Sequence, residues 1–150
     1  MDEVDAMIEL AITSAPSKKN IMRGPKVNAI LEDNIVAAIN WISMVTKTNS
    51  KDVVSAAILL YGAMSERDDL VSELKRTIPP SKREMLFRKN YVISPEAKQI
   101  LIDNNDMKSS DIVIEGMVLM YSMMFDKETA GKVLDSYPQF GNILRRPVSA

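Results

Sequence analysis

The chain has 150 residues, enough for one compact domain, with 46% apolar and 26% charged residues, as in ordinary soluble globular proteins. Nineteen Lys and Arg against twenty Asp and Glu leave a formal charge of −1, a balance that speaks against a general polyanion binder. The sequence has no Cys and no His, which excludes Cys/His zinc sites, disulfides, thiol nucleophiles and His-based acid–base catalysis.

In chain order, Asp2 to Ser14 reads as a helix, with Val4, Met7, Ile8, Ala11 and Ile12 at helical spacing, and Pro16 ends it. Its start, Met1-Asp2-Glu3-Val4-Asp5, is acidic where a signal peptide needs a basic one. A basic stretch leads to the breaker pair Gly24-Pro25. Lys26 to Leu31 begins with the polar–apolar alternation of a strand. Glu32-Asp33-Asn34 offers capping side chains, and Ile35, Ala38, Ile39, Ile42 and Val45 form one helix face. After the polar break Thr46 to Ser50, capped by Asn49 or Ser50, a second helix runs to about Met64. Ser65 to Ile78 reads as a more exposed helix ended by Pro79-Pro80.

The pattern then starts again. Phe87 to Ile93 is a strand, and Ser94-Pro95-Glu96 is a helix start with Ser as N-cap and Pro in the first turn. Asn104 to Ser109 is a polar break. Ser110 to Phe125 is a helix apolar on most sides, Asp126 to Tyr137 a further helix, and Pro138 to Ala150 a tail. The apolar runs Val53 to Met64 and Ile112 to Phe125 both fall short of the ~20 residues that span a bilayer. The expectation is a cytoplasmic protein with no membrane association. Met, at eleven copies, reads as adaptable core filling.

Laid over one another, Ser50 to Tyr61 and Ser110 to Tyr121 match at Val53/Val113, Val54/Ile114, Ile58/Val118, Leu59/Leu119 and Leu60/Met120. With Leu31 over Ile93, the strands pair Lys26/Arg88, Asn28/Asn90 and Ile30/Val92 on one face and Ala29/Tyr91 on the other, with Val27/Lys89 a mismatch. Charge follows the same duplication. Lys18 to Lys26 carries +4 and Lys75 to Lys89 carries +5, so these 24 residues hold +9 and the remaining 126 hold −10. Both basic segments lead into the strands.

Strand, helix, polar turn and helix in about 40 residues, twice, resembles the ribbon-helix-helix family of the Arc and methionine-repressor type. The resemblance covers Lys26 to Met64 and Arg88 to Phe125, and two copies in one chain resemble the family's tandem form. It implies a mainly α fold with a short two-stranded antiparallel ribbon, a pseudo-dimer with extra terminal helices. The expected organisation is an N-terminal helix and basic arm (1–24), copy 1 (25–64), a linker helix and basic loop (65–84), copy 2 (85–125) and a C-terminal helix and tail (126–150), the two copies forming one folded unit.

Such a ribbon fits the DNA major groove, where alternate side chains meet base edges. The base-reading set is then Lys26, Asn28, Ile30, Arg88, Asn90 and Val92. Lys or Arg suits guanine, Asn suits adenine, and Ile or Val suits the thymine methyl. The family also grips phosphate at the N-terminus of its second helix, which implies Ser50 and Lys51 in one copy and Ser109 and Ser110 in the other. Arg23, Lys82 and Arg83 join that phosphate set. Asp52 and Asp111 nearby oppose it, and each Ser taken alone is an ordinary N-cap. The implied function is sequence-specific binding of double-stranded DNA, as a transcriptional repressor or a plasmid or phage regulatory factor, with no cofactor and no catalysis. The alternative is a protein–protein interaction module on the same fold. Self-association of chains on DNA, and a protein partner for the termini, stay open.

Overall fold

The computed structural model describes residues 24–65, 67–72, 78–81 and 85–136. Within them the chain runs β1 (Lys26–Glu32), α1 (Asp33–Thr46), α2 (Ser50–Met64), α3 (Asp68–Val71), β2 (Leu86–Val92), α4 (Pro95–Asp103), α5 (Ser109–Phe125) and α6 (Lys127–Ser136). The architecture is mainly helical, and the two strands pair antiparallel as a two-stranded sheet. The helix expected over 2–14 and the tail beyond 137 lie outside the described residues.

Each half opens with a strand followed without a loop, or nearly so, by a helix. In the first half Glu32 is the extended N-cap of α1 and makes no side-chain cap bond. Of the capping expected from Glu32-Asp33-Asn34, Asn34 does not take part: its side-chain N–H donates to the carbonyl of Pro79, 2.9 Å away. The helix closes with Lys47 in the left-handed region (φ 57°) and the Thr48 N–H on the Ser43 carbonyl at 2.9 Å, a Schellman-type end. In the second half the Ser94 hydroxyl accepts from the Ala97 N–H at 3.1 Å and Pro95 occupies the first turn, the start that the sequence indicated. α1 begins at 33 and α4 at 95, the 62-residue spacing that lays Lys26 over Arg88. The helix after β2 is shorter than the helix after β1, 9 residues against 14.

The core is shared by both halves. α2 and α5 cross at its centre, burying Val53, Ala57, Ile58, Leu60 and Met64 against Ile112, Val113, Met117, Met120 and Met123. β1 closes one side with Val27, Ala29 and Leu31, all at most 2% exposed. α5 is apolar nearly all round because β1, α1, α2 and α6 all pack on it. Among the described residues, five buried side chains are Met, in keeping with their ability to fill irregular gaps. Gly116 lets α5 approach the Ala57 backbone directly, whereas Gly62 faces the flexible Ile100 side chain.

The expected helix over 65–78 is reduced, among the described residues, to the single turn α3. Arg67, just before this turn, pairs with Asp69 at 3.2 Å. Residue 66 and residues 73–77 lie outside the description.

Candidate nucleic-acid interface

Side chains alternate across a strand, so pairing and parity decide which residues share a face. Here residue i pairs with 118 − i: Lys26 with Val92, Asn28 with Asn90, Ile30 with Arg88 and Glu32 with Leu86. The six base-reading candidates, Lys26, Asn28, Ile30, Arg88, Asn90 and Val92, therefore lie together on the outer face. Asn28, Ile30, Arg88 and Asn90 are exposed and Lys26 and Val92 half-buried, while Val27, Ala29 and Leu31 point into the core. At a spacing of 62, the pseudo-two-fold axis of the ribbon passes through the Asn28–Asn90 pair. It exchanges Lys26 with Arg88 and Ile30 with Val92.

The hydrogen-bond pattern brings these outer side chains close. The Ile93 N–H donates to the Pro25 carbonyl at 2.9 Å, so odd-numbered pairs are the bonded ones. Even-numbered pairs are then non-bonded, the type whose side chains stand nearest each other. Their free backbone groups face the strand edges. On the β1 edge the Ile30 N–H donates to the Ser110 hydroxyl at 2.8 Å, and the Lys98 ammonium donates to the Lys26 carbonyl at 3.3 Å. Helices of the second half thus seal the edge of the first half's strand. Across the core, the Ser94 N–H donates to Ser55 Oγ on α2 at 3.1 Å.

The two helix N-termini differ. α5 starts beside β1 with Lys108 as an N-cap that makes no side-chain cap bond, and Ser109 and Ser110 form its first turn. Lys108 was not among the sequence candidates. Its signal was its place immediately before the Ser pair. At α2 the Ser50 hydroxyl donates to Asn40 Oδ1 at 3.4 Å, and the Asn49 N–H donates to the Asp52 carboxylate at 3.3 Å. Ser50 and Lys51 therefore share their helix start with an acid that already meets one of its donors. Arg23, Lys82 and Arg83 lie outside the described residues.

Burial pushes the Asp52 carboxyl above the usual carboxylate range, against the opposing pull of the Asn49 hydrogen bonds and of Lys51. The folded chain thus holds this proton to higher pH than the unfolded chain, whose value is 3.8. Asp52 favours folding fully below that pH, and the contribution is lost as pH rises through the folded pKa. Asp52→Asn, which keeps the acceptor oxygen, is expected to raise the thermal midpoint at pH 7, with the gain vanishing toward pH 3.8. A lower midpoint at neutral pH, read by calorimetry, would contradict this.

Three residues of the outer surface were not anticipated. Glu32 and Leu86 extend the face by one pair, β1 running one residue past the expected Leu31 and β2 lying one residue earlier than the expected Phe87 to Ile93, and Met85 flanks them. Leu86 is 68% exposed and Ile30 48%, an apolar patch at one end of the ribbon. The mismatched Lys89 lies on the inner face opposite Ala29, half-buried, with its ammonium 5.8 Å from the Phe87 ring. A long stem covering apolar surface with its charge kept near water explains why Lys is tolerated there.

Among the described residues no helix is long and apolar enough to cross a membrane, and no cluster of three or more acidic, His or Cys side chains suits a metal. No protein-family model matches the chain, and neither a curated protein nor a solved structure shows significant similarity to it.

Proposed function

We propose that the chain is a tandem ribbon-helix-helix unit that binds double-stranded DNA sequence-specifically, acting as a transcriptional repressor or a plasmid or phage regulatory factor in the cytoplasm. The observation that carries this reading is the outer face of the ribbon. It holds Lys26, Asn28 and Ile30 opposite Val92, Asn90 and Arg88, disposed about an axis through the two Asn residues. A two-stranded ribbon has the width of the major groove, and Lys, Arg, Asn and branched apolar side chains are the types that read guanine, adenine and the thymine methyl. Support also comes from α5, whose first turn lies against the β1 edge with Lys108 beside it, a helix N-terminus that suits a flanking phosphate, with Asp111 in the same turn opposing it. The reaction class is binding alone, without cofactor.

The test is selection of bound duplexes from a random pool, followed by affinity measurement on the selected sequence. A common sequence should emerge. With six or more phosphate contacts its affinity should fall about a thousandfold between about 50 and 200 mM salt. Failure to enrich any sequence would remove this function.

A second reading rests on Ile30, Met85 and Leu86, which expose apolar surface at one end of the same face. They suit docking of a protein partner, whose affinity would respond weakly to salt.

A further inference from the structure

The outer face of the ribbon does not end alike at its two ends. Past the Ile30–Arg88 pair the strands continue to Glu32 opposite Leu86, on the same face as the six reading candidates. At the spacing of 62, the mates of Glu32 and Leu86 are Ser94 and Gly24. Ser94 is 2% exposed, its hydroxyl accepts from the Ala97 N–H and its own N–H donates to Ser55 Oγ. Gly24 precedes β1 and has no side chain. The face therefore closes at Lys26 and Val92 on one side. On the other it runs on by one pair, a carboxylate and a leucine.

Glu32 is both the last residue of β1 and the N-cap of α1, with extended backbone (φ −69°, ψ 160°). Sheet and helix together fix where its side chain leaves the ribbon. The carboxylate is exposed, makes no cap bond and has no ion-pair partner among the described residues. Leu86 stands across from it, 68% exposed, in an even-numbered pair of the non-bonded type that brings side chains close. Met85 beside it is 41% exposed. A duplex that covers this apolar surface also takes water from the carboxylate, and an acid left there without a donor is costly.

The major groove offers such an acid few matches. Guanine presents acceptors only, thymine an acceptor and a methyl, and adenine sets an acceptor beside its donor. Cytosine alone presents its N4 donor with no acceptor on the same base. On the reading that the ribbon meets DNA, we propose that Glu32 is a one-sided specificity residue. It selects cytosine in the base pair just outside the one met by Arg88, and Leu86 shields the contact from water. No counterpart faces the groove at the Lys26 end, so the bound site is longer on one side and the chain takes it in one orientation. On unmatched sequences the same carboxylate meets only acceptors and phosphate repulsion, which lowers non-specific affinity.

The experiment is duplex selection with the full chain, wild type and Glu32→Gln, followed by affinity measurement on the selected site and on that site with the outer pair inverted. The half relaxed by Arg88→Ala identifies the Arg88 side. Wild type is expected to return cytosine just outside that half and no preference at the mirrored position. Inverting the C·G pair should weaken wild type about tenfold or more. Gln carries a donor and an acceptor that suit adenine N6 and N7, so Glu32→Gln should return adenine there. It should also bind unrelated duplexes more tightly, having lost one negative charge. Glu32 is exposed and has no cap bond to lose, so the thermal midpoint should hold. A selected site with defined inner positions but no preference outside the Arg88 pair overturns the proposal and leaves the six-residue reading standing. The same base returned by wild type and Glu32→Gln overturns it too. No enriched duplex at all removes both.

Discussion

Gly116→Ala is expected to destabilise the fold by about 3 kcal/mol, lowering the thermal midpoint by about 6–12 °C. A Cβ at Gly116 would fall on the Ala57 carbonyl group, 2.6 Å from its carbon. The obstacle is backbone on the facing helix, so no rotamer change relieves it, and α2 and α5 must move apart along the centre of the core. Overpacking typically costs about 1–3 kcal/mol, occasionally more, and the unyielding neighbour puts this site at the upper end. The better helix propensity of Ala returns only about 1 kcal/mol. Two other glycines serve as internal controls. At Gly62 the nearest obstacle is Ile100 Cδ1 at 2.6 Å, a side-chain end that can rotate away, so Gly62→Ala should cost less. At Gly131 a Cβ meets nothing within 4 Å, so Gly131→Ala should gain up to about 1 kcal/mol from propensity alone. The expected order of midpoints is Gly131→Ala, wild type, Gly62→Ala, Gly116→Ala. Equal midpoints for the first and last would deny the close crossing.

This ordering also shows where sequence reading stops. The alternation Lys26 to Leu31, the Ser94-Pro95 cap and the all-round apolarity of Ser110 to Phe125 are local signals, and each appears in the structure where its residues stand. Gly62 and Gly116 look alike in the sequence. Only the helix crossing, set by packing over more than fifty residues of separation, distinguishes them. The same holds for the aromatic cluster. Trp41 and Tyr121 lie on separate helices, and nothing periodic announces that their rings meet 5.8 Å apart beside the segment 78–81. Asn34 looked like a capping residue because short polar side chains favour helix starts. It instead holds the segment 78–81, since Pro79 offers a carbonyl at the right place. The Ser110–Ile30 hydrogen bond spans 80 residues and was equally hidden. It shifts the meaning of Ser110 from an isolated cap to a link between ribbon and helix.

The ribbon's axis makes its near-symmetry testable. Asn28 and Asn90 face each other across it, so a DNA site read by this face carries the same base type at the two positions nearest its centre. The next outward positions are not equivalent, because Lys26 stands where its mate has Arg88. Arg presents a planar fork that matches guanine O6 and N7 together, whereas Lys is a flexible point charge. The bound sequence should therefore be an imperfect inverted repeat, strict for guanine in the half met by Arg88 and more tolerant in the half met by Lys26. Arg88→Ala should cost about 1–3 kcal/mol, roughly fivefold to 150-fold in affinity, and relax selection in its own half. The conservative exchange is more telling. Lys26→Arg with Val92→Ile makes the two halves of the six-residue reading set chemically identical, and selection with that variant should return a more perfect palindrome. Both substitutions sit on the outer face of the ribbon, so the thermal midpoint should hold within about 1 kcal/mol of wild-type stability. If wild type and variant select sites of the same symmetry, or if Arg88→Ala leaves affinity unchanged at about 100 mM salt, the outer face of the ribbon is not what meets the bases.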